Sequence, residues 1–402
     1  MAPGSKPLLD RFADSDLAVE ADLMRSINRF PFFHTAEGAS RPRTRFQGRE
    51  MINLGSNNYL GLADDERVID ATCEAARRWG AGSTGSRTLN GHTLAHEELE
   101  ELIAGFTGQE AALVFSTGYA ANLGAISGLL QRGDHALTDE EAHASILDGV
   151  LLSGARLRRF DHNDVDALER LLGSGEGRPA ACLVDGVYSM RGDAAPLERL
   201  ADVCEEHGVV LIDDEAHGFG VLGPTGVGAA EAQSVLRRMD LITLTFSKSL
   251  GTCGGAVAGD RTTIEWLKMT SRPFLFTASN TPGSLGAAMC SLRLLIEHPH
   301  WPAEVRGRAE HLRELLVKQG VTVHPSDSAI LTVEVGSDAA TVHAWRLLWN
   351  RGVFCNPVVA PAVRAGRGLL RLSVMRTHCD EDLEEAAAAF GVIDEAYAVA
   401  GR

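Results

Sequence analysis

The sequence contains four lysines, so a reaction that requires an amine has four candidates for it: Lys6, Lys248, Lys268 and Lys318. Lys248 lies in LITLTFSKSLGTCGG, where it follows an apolar run and precedes small residues and glycines. This pattern predicts an amine in a crowded pocket near the end of a buried strand. A desolvated lysine loses its proton more readily and becomes a nucleophile toward an aldehyde. An ordinary loop lysine explains Lys248 equally well when it is considered alone.

Two other segments place chemically useful groups where apolar runs end. The run in LIDDEAHGFG ends with Asp213 and Asp214. An acid there can keep a pyridine nitrogen protonated, so that the ring withdraws electrons from a carbanion; the alternative is a helix N-cap. The stretch Phe115–Tyr119 predicts a strand, a turn and a helix start, whose amides and hydroxyl suit a phosphate, although Tyr119 is otherwise a core aromatic. An amine, a partner for a pyridine nitrogen and a phosphate site together indicate that the cofactor is pyridoxal 5′-phosphate.

Three other motifs fail on their context. Gly80–Gly85 fits G-x-G-x-x-G, but a helical pattern precedes it where a dinucleotide site requires a strand. Asp214–His217 spells the DEAH box of helicases, but no lysine follows a glycine, so the phosphate-binding loop of those enzymes is missing. His92, His96 and Glu97 lack further ligands at metal-binding spacing, which favours a surface or capping role. We therefore expect no metal site.

Composition narrows the class of protein further. The chain has 402 residues, with 38 basic and 54 acidic side chains and a net charge of −16. Such a charge disfavours binding to nucleic acid or to an anionic membrane. No apolar run approaches the roughly 18 residues of a membrane span, and the N-terminal residues lack the order of a secretion signal. The seven cysteines form no C-x-x-C pair, which is typical of a reducing cytoplasm.

The elements that must position these groups alternate between helix and strand, which predicts an α/β fold with a wound, largely parallel sheet. Apolar runs such as VVLID and LITLTF suit strands buried on both faces. The predicted helices are Asp16–Arg29, Asp65–Trp79, Leu94–Phe106, Ala120–Leu130, Gly283–Glu297, His311–Gln319, Thr341–Arg351 and Asp380–Ala398. The predicted strands are Ala111–Phe115, Ala181–Val184, Val209–Asp213, Leu241–Thr245, Gly255–Ala258, Ala329–Val335 and Leu369–Val374.

We divide the chain into three parts on this pattern. Residues 1–50 form an N-terminal helix and a connection, residues 51–290 form a large cofactor-binding domain, and residues 291–402 form a smaller α+β domain.

From residue 53 onward the sequence resembles the α-oxoamine synthase family of fold-type I pyridoxal-phosphate enzymes. The matching stretches are SNNYLGL (56–62), STGYAANLG (116–124), HASILDG (143–149), GVYSMRGDAAPL (186–197), DDEAHGFGVLGPTGVG (213–228), TFSKSLGTCGG (245–255), RPFLFTAS (272–279) and LLRLSV (369–374). Within the family they are most similar to the soluble bacterial serine palmitoyltransferases. The resemblance implies a seven-stranded, mainly parallel sheet flanked by helices and a homodimer with shared active sites.

The resemblance also implies roles around the cofactor ring. Lys248 binds the cofactor covalently and moves the α-proton of the amino acid. His143 stacks on the ring, Asp214 pairs with its nitrogen and His217 donates to or accepts from the ring's 3′-oxygen. Ser189 lies beside the ring.

Further roles concern the phosphate and the substrate. The residues implied to hold the phosphate or its surroundings are Thr117, Gly118, Tyr119 and Thr245. Thr277 reaches the phosphate across the homodimer interface. Asn57 and Arg371 meet the substrate, Arg371 through a bidentate contact with the amino-acid carboxylate.

Three positions depart from the family's usual pattern. Asp185 stands where the family often has Glu, Arg191 stands where it often has an acidic or apolar residue, and Asn280-Thr281-Pro282 replaces a double proline. Arg191 adds a positive charge near the entrance, which suits a phosphate-bearing thioester.

The resemblance implies a decarboxylating condensation of an α-amino acid, with serine favoured, and an acyl thioester. The products are an α-amino ketone, CO₂ and a free thiol. Alternatives use alanine or glycine, as 8-amino-7-oxononanoate synthase and 2-amino-3-ketobutyrate ligase do, or take the acyl group from a carrier protein instead of coenzyme A. A regulatory subunit without activity is disfavoured because Lys248 is present.

Overall fold

The computed structural model describes residues 30–173 and 179–393, together with eight isolated positions before residue 30. The predicted helix Asp16–Arg29 falls largely outside the described residues, and so does the end of the predicted helix Asp380–Ala398.

Strands and helices alternate along the described chain as the sequence predicts. The strands are β1 (Arg43–Phe46), β2 (Arg49–Asn53), β3 (Ala111–Phe115), β4 (His135–Asp139), β5 (Arg156–Phe160), β6 (Pro179–Asp185), β7 (Val210–Asp214), β8 (Leu241–Thr245), β9 (Gly255–Gly259), β10 (Ile330–Gly336), β11 (Val353–Phe354), β12 (Asn356–Val358) and β13 (Gly368–Ser373). The helices are α1 (Glu66–Trp79), α2 (Leu94–Thr107), α3 (Gly118–Leu129), α4 (Ala144–Ser153), α5 (Val165–Gly173), α6 (Leu197–His207), α7 (Ala229–Ala232), α8 (Arg261–Thr270), α9 (Arg272–Leu275), α10 (Pro282–Glu297), α11 (Trp301–Lys318), α12 (Asp338–Asn350) and α13 (Asp380–Ala389).

The central sheet has seven strands in the order β3-β9-β8-β7-β6-β4-β5. Strand β9 runs antiparallel to its neighbours β3 and β8, and the other neighbouring pairs are parallel. The predicted seven-stranded, mainly parallel sheet is therefore confirmed. Because strands of one direction end at the same edge, the loops that follow β4, β6, β7 and β8 converge there.

Helices cover the central sheet on both faces. Alternate residues of β3 belong to different cores: Leu113 and Phe115 to one, Ala112 and Val114 to the other. The first core includes side chains of α3, α4 and α8, and the second includes side chains of α2, α6 and α10. Strands buried on both faces explain why their sequences are apolar at nearly every position.

A third core joins the start and the end of the described chain. Strands β10, β13 and β12 form an antiparallel sheet. Strands β1, β2 and β11 form a mixed sheet, in which β1 is antiparallel and β11 parallel to β2. Met51 and Ile52 of β2 pack in the same core as Leu370 of β13 and Trp345 of α12. The domain division at residues 50 and 290 stays a prediction, and these contacts associate the β1–β2 pair with the C-terminal section.

One predicted helix begins at the wrong residue. The pattern predicts a start at His311, whereas α11 begins at Trp301 with Pro302 in its first turn. Proline is tolerated there because the first turn leaves its backbone N–H groups without helical partners.

In the described residues, no helix is long and apolar enough to cross a membrane.

Candidate active site

Lys248 lies in the loop after β8, at the edge of the sheet where the parallel strands end. Burial lowers the pKa of Lys248 from 10.5 to about 8. The negative charges of Asp214 and Asp185 oppose this shift, and the positive charge of Arg371 adds to it. The lysine amine is therefore partly uncharged near neutral pH, as a nucleophile toward an aldehyde must be.

Asp214 is buried at the last position of β7. Its Oδ2 accepts from the Asn122 side-chain amide at 2.6 Å, and its Oδ1 accepts from the Ala216 backbone at 2.9 Å. Thr243 orients Asn122 by donating to its Oδ1 at 2.7 Å. These donors hold the carboxylate in one orientation, as the partner of a pyridine nitrogen requires. The neighbouring Asp213 is also buried, but it takes part in none of these hydrogen bonds. Asp214 is therefore the acid that this network holds.

His217 is buried, and its Nδ1 forms a hydrogen bond with the Tyr59 hydroxyl, 2.8 Å away. Burial lowers the pKa of His217 well below 6.5, and the charges of Lys248 and Arg371 lower it further. The imidazole is therefore neutral, with one nitrogen as donor and one as acceptor. A neutral imidazole can hydrogen-bond to an oxygen of the cofactor ring without adding a charge.

His143 caps the N-terminus of α4. Its Nδ1 lies 2.7 Å from the Ser145 hydroxyl, and its backbone N–H donates to Asp185 at 2.9 Å. The His143 ring meets the edge of the Tyr119 ring, with centroids 6.4 Å apart. Tyr119 is partly exposed and its hydroxyl contacts Asp148, so the alternative of a core aromatic is wrong. Two aromatic rings thus line one side of the site.

The start of helix α3 forms a closely packed corner with the end of β8. Thr117 caps this helix, and its hydroxyl accepts from the Ala120 backbone. A Cβ on Gly118 would lie 2.6 Å from the Cβ of Thr245, so glycine is required for this approach. The Thr245 hydroxyl lies 2.8 Å from that of Ser247. Hydroxyls beside the N-terminus of a twelve-residue helix suit a phosphate.

Arg371 and Asn57 lie together, as their predicted shared role requires. Arg371 is buried in β13, and its Nη1 donates to Asn57 Oδ1 at 3.0 Å and to the Ser373 hydroxyl at 2.9 Å. Its Nε donates to the Ser189 carbonyl at 2.5 Å. Only Nη2, which is 3.5 Å from the Tyr59 hydroxyl, keeps donors available. A substrate carboxylate can therefore bind to Nη2. The predicted bidentate contact also requires that Nε or Nη1 give up one of its present hydrogen bonds.

Asp185, Asp213 and Glu215 are buried carboxyl groups behind the site. Burial raises the pKa of Asp185 and Asp213 well above the ordinary range and that of Glu215 to about 7. The Glu215 carboxyl fills a space where a Cβ on Gly218 or Gly228 would come within 2.0 or 2.1 Å of it. A side chain at either glycine would therefore collide with the Glu215 carboxyl. Burial favours the uncharged form of this carboxyl near neutral pH.

Two of the motifs that failed on context are resolved by the structure. Gly80 follows helix α1 and no strand precedes the glycine segment, so the dinucleotide site is excluded. His96 receives hydrogen bonds from Thr93 at the start of α2, which confirms its capping role. The described residues contain no group of three or more side chains arranged to hold a metal.

Sequence reasoning missed Tyr59 and Asn122, although both lie inside motifs quoted for the resemblance. Thr277 is exposed beside Phe276. Within the described chain its side chain makes no hydrogen bond to the residues around Lys248. Its predicted role in a partner's site stays a prediction, as do the individual roles of the other site residues.

Residues 49–390 match the family model for aminotransferase class I and II. The chain belongs to that family. It is 42% identical over 355 residues to a serine palmitoyltransferase of Caulobacter vibrioides, with 88% of each chain covered. It is 38% identical to an 8-amino-7-oxononanoate synthase of Saccharophagus degradans, covering 92% of this chain and 94% of the other.

Solved structures agree with these relatives. The Sphingomonas wittichii serine palmitoyltransferase superposes with a TM-score of 0.92 at 36% identity, covering 98% of this chain and all of that one. A high-resolution serine palmitoyltransferase with a pyridoxal-phosphate internal aldimine also gives a TM-score of 0.92. The resemblance to the α-oxoamine synthases and the assignment of pyridoxal 5′-phosphate as cofactor are confirmed.

The residues of this family member fit that cofactor. The amine of Lys248, the carboxylate of Asp214 and the corner at Gly118 lie at the ends of β8, β7 and β3, three strands of one sheet. They supply an aldehyde-binding group, a nitrogen partner and a phosphate site.

Proposed function

We propose that this chain catalyses a decarboxylating condensation of an α-amino acid, with serine favoured, and an acyl thioester. The products are an α-amino ketone, CO₂ and a free thiol. The observation that carries the proposal is the combination of a lysine with a lowered pKa and the Arg371–Asn57 pair, whose arginine lies near enough to affect that pKa. The identity of 42% to a serine palmitoyltransferase supports serine.

The chain's own residues divide the work of the reaction. Pyridoxal 5′-phosphate, when bound, supplies an electron sink for the negative charge that develops at the amino acid's α-carbon. Lys248 would hold the cofactor, and its Nζ would take the α-proton of the bound amino acid. Asp214 keeps the pyridine nitrogen protonated. Arg371 binds the substrate carboxylate and fixes its orientation until it leaves as CO₂.

A cavity beside this site suits the acyl thioester. It has a volume of about 420 Å³ and is lined by residues of the loops that carry Glu141, Arg191 and Pro361. Leu369, two residues before Arg371, also lines it. Arg191 pairs with Glu141 at 2.8 Å, so its charge is already partly neutralised. We infer that a phosphate-bearing donor enters here and displaces Glu141 from Arg191.

The proposal includes a homodimer in the cytoplasm. Large apolar side chains are exposed near Thr277: Phe276 on its own segment and Met269 on α8 are 73% and 76% accessible. Leu89, near the Ser86–Ala278 bridge, is 83% accessible. Such side chains suit an interface between two copies.

Reduction with borohydride tests the assignment of Lys248. Peptide mapping of the reduced holoenzyme should place the pyridoxyl group on Lys248 and on no other lysine. Lys248→Arg should remove the absorbance of bound cofactor at about 420 nm. The matched control Lys268→Arg alters a lysine that pairs with Glu265 on α8 and should retain that absorbance. A label on Lys6, Lys268 or Lys318 would contradict the proposal.

The substrates are then identified in two stages. Amino acids are screened for a change in the cofactor's absorbance and for exchange of the α-proton with deuterium. The best amino acid is next combined with acyl-coenzyme A and acyl-carrier-protein donors of increasing chain length. Serine should give the strongest response. A response to alanine and not to serine would instead support the 8-amino-7-oxononanoate synthase reaction, which the relative at 38% identity makes the second candidate.

A further inference from the structure

His162 lies between two carboxylates in the loop that follows β5. Its Nδ1 is 3.0 Å from Asp139 Oδ1, and its Nε2 is 2.8 Å from Asp193 Oδ2. Its side chain is only 12% exposed, and its ring meets the edge of the Tyr188 ring at 4.5 Å. Because each ring nitrogen faces a carboxylate, both must carry a proton, and the side chain is an imidazolium.

The charge of His162 follows from these partners. Burial alone would lower the pKa of His162, but the hydrogen bonds to Asp139 and Asp193 outweigh it and raise the pKa to about 10. Asp139 is buried at the end of β4, and its side-chain oxygens also accept from the Glu141 and Asn163 backbones at 2.8 Å. The imidazolium is thus held between two carboxylates, one of which is itself held by two backbone donors.

The two carboxylates belong to loops that follow the neighbouring strands β4 and β6 and that both carry residues of the active site. Asp139 begins the loop 139–143, which ends at His143. Asp193 closes the loop 188–193: its carbonyl accepts from the Tyr188 backbone at 3.0 Å. Within that loop the Ser189 carbonyl accepts from Arg371 Nε at 2.5 Å. A shift of the loop 188–193 would therefore move an acceptor that orients the Arg371 guanidinium.

We propose that His162 is a positioning residue that ties the loop 139–143 to the loop 188–193 and thereby holds Arg371 in place for the amino-acid carboxylate. This inference rests on the proposed function. The Arg191–Glu141 pair joins the same loops at 2.8 Å, but its arginine side chain is 47% exposed. Water and ions weaken such a pair, so it does not replace the buried contact.

The test compares His162→Gln with His300→Gln, which removes an exposed histidine that pairs with Glu304. Glutamine is neutral and cannot satisfy two carboxylates at opposite ends of a ring. His162→Gln should raise the dissociation constant for the amino acid, measured from the cofactor's absorbance, about tenfold, the usual effect of losing one charged hydrogen bond. Cofactor occupancy should stay within about twofold of the wild type, and His300→Gln should change neither quantity. Asp193→Asn, which keeps the geometry but removes one charge, provides a milder variant if His162→Gln folds poorly.

A double-mutant cycle separates positioning from general destabilisation. If His162 acts through Arg371, then His162→Gln should change amino-acid affinity less than about twofold in an Arg371→Lys background. A tenfold loss in that background would overturn the inference, and so would an unchanged affinity in the folded single variant.

Hydrogen exchange supplies a readout that needs no amino acid. In the purified holoenzyme, peptides covering residues 188–193 and 139–143 should exchange about tenfold faster in His162→Gln than in the wild type or in His300→Gln. Unchanged exchange would show that His162 does not hold the loop 139–143 against the loop 188–193. If the wild type binds no amino acid, the proposed function fails, and the exchange measurement still decides whether His162 joins the two loops.

Discussion

The amine of Lys248 should capture pyridoxal 5′-phosphate at neutral pH far faster than an ordinary lysine. Burial lowers its pKa from 10.5 to about 8. At pH 7 about a tenth of an amine with a pKa of 8 is uncharged, against about three in ten thousand for a pKa of 10.5. Because only the uncharged amine attacks an aldehyde, the structure predicts an advantage of about 300-fold at pH 7.

Stopped-flow absorbance after mixing apoenzyme with the cofactor measures this rate. Between pH 6 and 9.5, about the range that brackets the shifted pKa, the rate should rise about tenfold per unit and level off near pH 8. A simple alkylamine, measured in parallel, corrects for ionisation of the cofactor itself.

Two variants should move the midpoint of this profile in opposite directions. Asp214 raises the pKa of Lys248 and Arg371 lowers it. Asp214→Asn should therefore shift the midpoint to lower pH, and Arg371→Met should shift it to higher pH. A wild-type midpoint close to 10 would refute the reasoning from burial, and equal midpoints in the two variants would refute the reasoning from charge.

Three further predictions concern other parts of the molecule. Arg371→Lys should weaken amino-acid binding about ten- to a hundred-fold in an absorbance titration, because lysine keeps the charge but loses the fixed donors; loss of cofactor with unchanged amino-acid affinity would show a structural role. Mixed chains of Lys248→Ala and Thr277→Val should regain part of the activity in a subunit-exchange assay, whereas a fully active monomer would exclude a shared site. Glu215→Gln should gain stability relative to the wild type as pH rises from 5 to 8, by about 1–3 kcal/mol in denaturant unfolding, because burial raises the pKa of Glu215 to about 7 and its ionisation then destabilises the fold. Glu98→Gln, on the exposed face of α2, should show no such trend.

The sequence predicts the strand-end groups well for a physical reason. Apolar runs identify the strands, and the ends of parallel strands meet at one edge, so Asp214 and Lys248 could be placed near each other without coordinates. The predicted start of α11 was wrong because the pattern from Trp301 to Glu310 is mixed in polarity. The helical state of this segment depends on packing in the tertiary structure.

Other members of the site could not be found from spacing. Asn122 bonds to an aspartate 92 positions away, and Tyr59 bonds to a histidine 158 positions away. An asparagine inside a helix or a tyrosine in a loop has no pattern that indicates such a partner. Glu215 is similar, because the glycines around its carboxyl come from two connections: Gly186 follows β6, and Gly218 and Gly228 lie between β7 and α7. These contacts depend on the folded topology, which local periodicity does not encode.

His217 and His162 show how one fold keeps one histidine neutral and another positively charged, although both have little exposure to water. His217 meets a tyrosine hydroxyl and lies among the cations Lys248 and Arg371, so its pKa falls well below 6.5 and the ring is neutral. His162 meets two carboxylates, so its pKa rises to about 10 and the ring is charged. Between pH 7 and 9 neither histidine changes its charge substantially, whereas Lys248, with a pKa of about 8, does. A change in cofactor capture across this range therefore does not come from either histidine, and both keep the hydrogen bonds described above.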